Sequence, residues 1–306
     1  MDDLLQTRLP IIVTMIAAAA LGLFWLPLRA LAQSGLDASL ATIAVFIMPI
    51  IVLVPLAGLR LVRGKAIGIA QGITGLLTGG ALALYSESLL HTDVARTLIL
   101  FYVTPVWSTL LEVVLLKQRL SKARAIALIL GLAGLVTILG GRTGVPLPKN
   151  LGDSMALLAG MVWAIGSFRV RLATDVGVFE NLFSFFFFGS LVAVLIAVLP
   201  ITPGITAPKW NVLMPLLPWL ILVAVGFMIP IFWGILWGSQ HIDSGRLGIL
   251  LQIEAVVGIA SAALLTEELF GFVELLGALL VIGAAVVDVL GSQDSIHRHN
   301  TAENNF

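Results

Sequence analysis

The chain has 306 residues, with 17 basic and 17 acidic side chains, and its isoelectric point is near 6.9. Hydrophobic residues make up 59% of it, charged residues only 11%, and the mean hydropathy is +1.08. A soluble domain uses roughly 25% charged residues to cover its surface, so this composition places the chain in a lipid bilayer. The neutral balance gives no indication of a nucleic-acid partner. The absence of cysteine excludes disulfides, thiolate metal sites and cysteine nucleophiles.

Ten apolar runs are long enough to cross the hydrocarbon core, which takes about 20 helical residues. In chain order they are 10–31, 38–59, 66–90, 93–116, 123–141, 151–172, 179–199, 212–238, 244–266 and 271–291. Short polar or Gly/Pro segments separate them, and long alternating strands are absent. The sequence therefore predicts an all-α integral membrane protein with ten transmembrane helices. A polar, disordered tail is expected over 292–306.

An internal repeat divides these ten runs into two sets of five. Asp93-Val-Ala-Arg96 recurs as Asp243-Ser-Gly-Arg246, 150 residues later, and each copy opens a long apolar run. The sequence therefore predicts one five-helix unit over 1–145 and a second over 146–291.

The basic residues predict how the two units are oriented. With the N-terminus in the cytoplasm and the runs alternating in direction, twelve Lys and Arg residues lie inside and five outside, as the positive-inside rule requires. Ten spans then place both termini in the cytoplasm. Because five is odd, the second unit enters from the opposite side. Inverted repeats of this kind recur in secondary transporters that work by alternating access.

Glu254 is the ionisable residue most indicative of function. It lies about ten residues into the ninth run, which at ~1.5 Å per residue is close to the middle of the bilayer. A charge at that depth costs at least ~2.5 kcal/mol, so such a group is usually protonated, paired or facing water. Two interpretations are open: a carboxylate that titrates or binds an amine in a cavity, or a glutamic acid that is hydrogen-bonded between helices.

Polar and aromatic side chains at helical spacing predict the remainder of a substrate site. Mid-membrane Trp is informative, because interfacial Trp belongs near the helix ends, and aromatic rings can stack on a ring or a cation. Packing or lipid contact is the alternative for each of these aromatic residues. We expect runs 1, 3, 4, 6, 8 and 9 to line a central cavity, with substrate contacts from Trp25, Gln71, Thr78, Tyr85, Tyr102, Trp163, Ser167, Trp233 and Glu254.

Three features predict how the helices pack. The glycines of the third run permit close approach of a neighbouring helix, and they are Gly72, Gly75, Gly79 and Gly80. Pro230 should kink or loosen the eighth run. The stretch Phe183–Phe188 covers every face of its helix and is expected to face lipid.

The charged residues near the ends of the runs have structural interpretations. Asp93 and Asp243 stand at helix starts, where a carboxylate caps free backbone N–H groups, and the arginine one turn later can pair with its own aspartate. Glu112 is expected to pair with Lys117 or Arg119 at the cytoplasmic end of the fourth run.

Several catalytic motifs are missing from the sequence. There is no G-x-x-x-x-G-K-[ST] loop and no His-Glu-x-x-His, and all four histidines fall in loops or the tail. The sequence therefore predicts that the chain is not an enzyme and needs no cofactor and no metal.

The fourth and ninth runs also carry a family pattern. The fourth reads Thr104-Pro105-Val106 and then Lys117-Gln118-Arg119-Leu120, and the ninth reads Glu254-Ala255-Val256 and then Glu267-Glu268-Leu269. With the glycines of the runs that follow, this resembles the drug/metabolite transporter superfamily, in its ten-helix exporter branch with two EamA-type repeats. The chain departs from the pattern at Ala255, where proline is usual, and at Gln118, where glutamate is usual.

The resemblance implies a secondary transporter that exports small metabolites across a bacterial inner membrane. Amino acids, aromatic or broad in range, are the implied substrates, and exporters of aromatic amino acids and methyl viologen are the most similar branch. The alternatives are a polyspecific, proton-coupled efflux protein for drugs or organic cations and, from another class, a passive channel. The expected partners are a small-molecule substrate and the lipid bilayer, with the protein acting as a monomer and without nucleic acid.

Overall fold

A computed structural model describes residues 2–34, 36, 38–63, 68–92, 94–118, 120–143, 147–173, 176–199, 210–265 and 271–303. The regular structure in these ranges is entirely helical, and none of them contains a strand. This confirms the all-α prediction for the described part of the chain.

The first half contains α1 (Asp2–Leu21), α2 (Trp25–Gln33), α3 (Ala38–Val62), α4 (Ile69–His91), α5 (Val94–Phe101), α6 (Thr104–Leu115) and α7 (Lys122–Thr143). The second half contains α8 (Leu151–Leu172), α9 (Val178–Val198), α10 (Trp210–Val223), α11 (Ile229–His241), α12 (Ser244–Leu251), α13 (Ile253–Leu265) and α14 (Phe272–Glu303). A short π-helical segment, Ala224–Met228, joins α10 to α11.

Each apolar run predicted from the sequence is occupied by one helix or by two consecutive helices. Six segments of the described chain are long and apolar enough to cross a membrane: Arg8–Pro27, Ser39–Val62, Arg96–Leu115, Leu151–Leu172, Val178–Val198 and Leu213–His241. The total of ten spans stays a prediction.

The outer surface of the helices is apolar, as a membrane protein requires. Ile16, Ile129 and Leu195 lie in the middle of their helices and are 64%, 67% and 57% exposed. Extended apolar surfaces of this kind are rare on soluble monomers and match a lipid environment. The backbone groups beneath them are satisfied within the helices, which hydrocarbon demands.

The glycines of α4 bring that helix against α9, as the sequence predicts. A Cβ atom on Gly75 would lie 2.5 Å from the Ser184 carbonyl carbon, and one on Gly79 would lie 2.8 Å from the Gly189 nitrogen. Both contacts are with backbone atoms, which cannot swing aside as a flexible side chain can. Only glycine fits at these two crossing points, so α4 and α9 form a closely packed pair.

The expectation that Phe183–Phe188 faces lipid is wrong for most of the stretch. Phe185 and Phe186 are fully buried, and both contact the ring of Phe232 on α11, at centroid distances of 4.4 and 5.9 Å. Phe187, in contrast, is 40% exposed. The physical reason is that α3, α4 and α11 all pack against α9 and cover most of its faces.

Pro230 loosens the eighth run, as predicted. The π-helical segment Ala224–Met228 ends just before it, because proline has no N–H to continue the regular ladder and its ring displaces the preceding turn.

At the other end of the chain, α14 continues as helix to Glu303. Helix therefore occupies much of the 292–306 segment for which the sequence predicts a disordered tail.

Candidate functional site

A buried carboxyl group held by two tyrosines lies where helices from the two halves meet. Glu254 is in the first turn of α13 and is 8% exposed. The Tyr102 hydroxyl donates to its Oε2 atom. The Tyr85 hydroxyl donates to its Oε1 atom at 3.3 Å. These are the only two tyrosines in the chain. Through these two hydrogen bonds α4, the α5–α6 junction and α13 meet at one carboxyl group.

No cation compensates the Glu254 carboxyl in the described part of the chain. The ion pairs among the described residues involve other carboxylates. Hydroxyl donors stabilise a carboxylate only in part when the group is out of water, and a buried charge normally requires a positive partner. The arrangement therefore suits a proton or a positively charged ligand group at Glu254.

The position of Tyr102 follows from a break in the fourth apolar run. Helix α5 ends at Phe101 and α6 begins at Thr104, so Tyr102 lies between them. The single proton of its hydroxyl is shared between Glu254 and the backbone carbonyl of Leu251, whose oxygen lies 3.0 Å away. Leu251 ends α12, where the last carbonyls of a helix have no partner within that helix. Tyr102 thus joins the break in the fourth run to the break in the ninth.

Aromatic rings form one wall beside the carboxyl group. The rings of Tyr85 and Phe101 have centroids 4.6 Å apart, and Phe101 meets Tyr102 edge-on at 5.3 Å. Phe101 is therefore a site residue that the sequence analysis missed. Its position at the end of α5, directly before the break, was the signal that could have identified it.

Trp25 lies on the same side of α13 as Glu254. Its indole Nε1 donates to Ser261 Oγ at 3.0 Å, and Ser261 is two turns beyond Glu254 on the helix. Nearby, a Cβ atom on Gly22 would lie 2.6 Å from the Glu254 carbonyl oxygen, so the chain just before α2 runs close against α13. The structure thus brings Trp25, Tyr85, Tyr102 and Glu254 into one region.

Trp163 packs in the aromatic core next to this region. It is 4% exposed and meets Phe185 edge-on at 6.5 Å, and its Nε1 has no hydrogen-bond partner among the described residues. One turn earlier on α8, the Gly160 carbonyl accepts from Thr104 Oγ1 at 3.2 Å. Helix α8 therefore contacts the break in the fourth run, and Trp163 carries a free donor close to it.

The remaining predicted contacts are less directly placed at the site. Thr78 and Ser167 are buried, and their hydroxyls donate to carbonyls of their own helices, those of Thr74 at 2.9 Å and Ala164 at 3.2 Å. Gln71 is half-buried near the start of α4. Trp233 is 42% exposed, which does not fit its predicted place over a buried carboxyl group, because Phe232 and not Trp233 turns into the core.

A separate charged cluster closes the end of the bundle where α6 ends. Arg124 pairs with Glu112 at 3.1 Å and with Asp288 at 2.7 Å, and Arg246 pairs with Asp288 at 2.9 Å. Glu112 also accepts from the Gly245 backbone N–H at 3.0 Å. A cavity of about 200 Å³ lies beside it, lined by Thr109, Glu112, Val113, Gln118, Leu120, Ser121, Arg124, Asp243, Arg246 and Asp288.

This cluster corrects two expectations. Glu112 pairs with Arg124 on α7 and, among the described residues, not with Lys117, because the bundle brings the start of α7 against Glu112; Arg119 lies outside the described residues. Asp243 makes no side-chain cap hydrogen bond at α12, and its oxygens lie 3.9 Å from Arg124 and Arg171. Its neighbour Arg246 pairs with Asp288 in place of Asp243. Asp93 lies outside the described residues.

The opposite end of the bundle is held by a buried ion pair. Arg96 on α5 donates to Asp153 on α8, with its Nε atom 3.1 Å from both carboxylate oxygens. Asp153 also accepts from Thr92 Oγ1 at 2.7 Å and from the Lys149 N–H at 2.9 Å. Each of the two repeated arginines thus holds one end of the bundle, Arg96 through Asp153 and Arg246 through Asp288.

Comparison with known proteins now assigns the family. The model of the EamA-like transporter family matches the chain twice, over residues 8–140 and 150–289. A solved structure described only as the crystal structure of a protein aligns with a TM-score of 0.71 at 20% identity, covering 93% of this chain and 98% of that one. It shows the fold. No curated protein matches the chain. The chain belongs to the EamA-like transporter family of the drug/metabolite transporter superfamily, and it is a membrane transporter of small molecules and not an enzyme.

Proposed function

We propose that this protein is a secondary transporter that exports small amine-bearing metabolites, amino acids above all, across a bacterial inner membrane. The observation that carries the proposal is the Glu254 carboxyl group, buried between two tyrosine hydroxyls without a cationic partner among the described residues. A ligand ammonium group would supply the missing positive charge. Ionisable groups inside a membrane usually mark a substrate or ion pathway.

Two inverted five-helix repeats in a ten-span bundle would provide alternating access to this site, with both termini in the cytoplasm. Helix bounds support the repeat. Shifting the last residue of α5, Phe101, by 150 residues gives the last residue of α12, Leu251, and in each half a second helix begins two or three residues later. The broken helices of the two halves therefore have the same architecture.

The packing of the helices supports the same exchange. Helix α5 of the fourth run packs on α8 of the sixth, and the ninth-run helices α12 and α13 pack on α1 of the first. Likewise α4 of the third run packs on α9 of the seventh, and α10 of the eighth run packs on α3 of the second. The pair α7–α14 joins the fifth run to its counterpart, the tenth, and the pair α6–α12 joins the fourth run to its counterpart, the ninth. A bundle with this exchange of neighbours is what two related units would form.

The aromatic wall favours substrates with a ring. Tyr85, Phe101 and Tyr102 surround the carboxyl group, and aromatic faces bind both rings and cations. Aromatic amino acids are therefore the first substrates to test. The same wall would accept a flat organic cation, so proton-driven efflux of such cations is the second candidate, in which Glu254 exchanges a proton for the cation.

The test is uptake of labelled phenylalanine, tryptophan and methyl viologen into proteoliposomes, with and without a pH gradient. We expect saturable amino acid flux with counterflow, reduced at least tenfold in Glu254→Gln. Glu87→Gln is the matched control, because Glu87 is also buried in a membrane helix and has no hydrogen-bond partner among the described residues.

The outcomes separate the candidates. Transport of methyl viologen that requires the pH gradient, without amino acid flux, would favour the efflux function. Rapid flux without counterflow would identify a channel. Equal flux in Glu254→Gln and the unsubstituted protein would overturn the assignment of Glu254.

A further inference from the structure

The two helix breaks occupy equivalent positions in the two halves but carry different side chains. Tyr102 lies in the break of the fourth run, and Gln252 lies 150 residues later in the break of the ninth run. Leu251, whose carbonyl accepts from Tyr102, corresponds in the same way to Phe101. Each break thus contains a polar side chain followed by the start of a second helix.

The two side chains behave differently in this structure. The Tyr102 hydroxyl crosses to the other half and bonds the Leu251 carbonyl and the Glu254 carboxyl group. Gln252 is 1% exposed, and its Oε1 atom has no hydrogen-bond partner among the described residues. Its side chain packs directly against Gly131 of α7. A Cβ atom added to Gly131 would lie only 3.2 Å from the Gln252 Cδ atom.

An unsatisfied amide oxygen buried inside a membrane protein is costly, and such groups are rare unless another state uses them. In inverted-repeat transporters the two halves exchange conformations between the outward-facing and inward-facing states. Exchange here would move Gln252 into the position that Tyr102 has now. Its Oε1 atom would then face the Thr104 hydroxyl, because Thr104 is the counterpart of Glu254, the side-chain partner of Tyr102.

We infer that Gln252 is a positioning residue that stabilises the oppositely facing state, in which its Oε1 atom accepts a hydrogen bond from the Thr104 hydroxyl. This rests on the proposed function, since it requires two inverted repeats. Tyr102 stabilises the state observed here and Gln252 stabilises the other.

The inference makes a prediction of opposite sign for two substitutions. Tyr102→Phe removes a hydrogen bond of the observed state only, and Gln252→Met removes one of the other state only while keeping the length of the side chain. A net buried hydrogen bond changes a two-state ratio by about fivefold. The two variants should therefore shift the ratio of states in opposite directions.

The chain has no cysteine, so spin labels can be placed without background. One cysteine pair replaces Ser34 and Ser154, and a second replaces Gln118 and His241, all of them exposed positions. Distance distributions by pulsed electron spin resonance in lipid then report each end of the bundle. We expect Tyr102→Phe to deplete the observed state about fivefold, Gln252→Met to enrich it about fivefold, and the double variant to lie near the unsubstituted protein.

Gln240→Leu is the matched control. Its side-chain amide donates to the Val176 carbonyl at 2.7 Å in this structure, so its loss tests whether any lost glutamine hydrogen bond shifts the states. We expect no change in the ratio. If Gln252→Met fails to fold, Gln252→Leu takes its place in the same experiment.

A shift of both variants in the same direction, or no shift with Gln252→Met, would overturn the inference. That failure is distinct from failure of the proposed function. If the unsubstituted protein moves no substrate but the two variants shift in opposite directions, the function is wrong and the role of Gln252 stands. If flux is normal and the distances do not change, only the role of Gln252 is wrong.

Discussion

The hydroxyl of Tyr102 donates to the carboxyl group of Glu254, across a separation of 152 residues in sequence. The bond joins a break in one half of the chain to the helix that follows the matching break in the other half. A single contact therefore connects the binding chemistry to the boundary between the halves. Any change of charge at Glu254 acts on the same atoms that hold the two breaks together.

The two tyrosines should contribute unequally to transport. Tyr102→Phe removes a hydroxyl that bridges the Glu254 carboxyl group and the Leu251 carbonyl oxygen 3.0 Å away, whereas Tyr85→Phe removes only a 3.3 Å bond to Glu254. Longer hydrogen bonds are weaker, so we expect initial rates in proteoliposomes to fall about tenfold for Tyr102→Phe and about threefold for Tyr85→Phe. If Tyr85→Phe lowered the transport rate more than Tyr102→Phe, hydrogen-bond length would not explain the relative importance of the two tyrosines.

The crossing of α4 and α9 should tolerate no side chain at Gly79. A Cβ atom there would meet the Gly189 nitrogen at 2.8 Å, so Gly79→Ala should destabilise the fold by about 1–3 kcal/mol. Thermal denaturation in detergent micelles measures the effect.

Gly283 provides the control for that substitution. A Cβ atom on Gly283 has open space around it, and alanine is favoured over glycine inside a helix by about 0.8–1.0 kcal/mol. Gly283→Ala should therefore keep or raise the denaturation temperature. Equal losses at both glycines would argue against a close α4–α9 crossing.

Asp288 should be critical for the charged cluster. Its side chain is 2% exposed and pairs with both Arg124 and Arg246. Asp288→Asn leaves two arginines with fewer anionic partners, and breaking a buried pair costs about 3–5 kcal/mol. We expect a clear fall in the midpoint of thermal denaturation.

Arg171→Gln serves as the comparison, because Arg171 is 37% exposed and lies 3.9 Å from Asp243. Exposed pairs contribute about 0–1 kcal/mol, so its midpoint should hardly move. A double-mutant cycle of Arg124→Gln with Asp288→Asn then isolates the pairwise coupling. Strict additivity of the two effects would contradict a direct interaction.

The distribution of basic residues predicts which end of the fourth run faces the cytoplasm. Single cysteines in place of Gln118 and Ser154 are exposed and lie at the ends marked by the Glu112 and Arg96 ion pairs. A membrane-impermeant maleimide added to intact cells should label the cysteine at 154 and spare the cysteine at 118. Labelling of both, or the reverse pattern, would contradict the orientation deduced from the basic residues.

Composition and periodicity were sufficient to predict the helical membrane fold. Lipid cannot satisfy backbone hydrogen bonds, so long apolar runs in such a chain must be helical. Close packing at Gly75 and Gly79 followed from the same local logic, because a small residue permits close approach whichever neighbour it meets. Pro230 also acts locally, through its missing N–H.

Predictions about partners were less successful, because a partner depends on contacts distant in sequence. Glu112 was expected to bind a cation nearby in the chain and binds Arg124 on the next helix. The phenylalanines of α9 were expected to face lipid, but three neighbouring helices cover Phe185 and Phe186. Neither outcome can be read from one helix alone.

The sequence by itself determined that this chain is helical, lies in a membrane and contains Glu254 deep in an apolar run. It also supplied the family, through two matches over its length. Only the tertiary structure decided that the partners of Glu254 are Tyr85 and Tyr102 and that the helices break on either side of Tyr102. The physical reason is that helix formation in lipid depends on local hydrogen bonding and hydropathy, whereas the pairing of buried polar groups depends on which helices pack together.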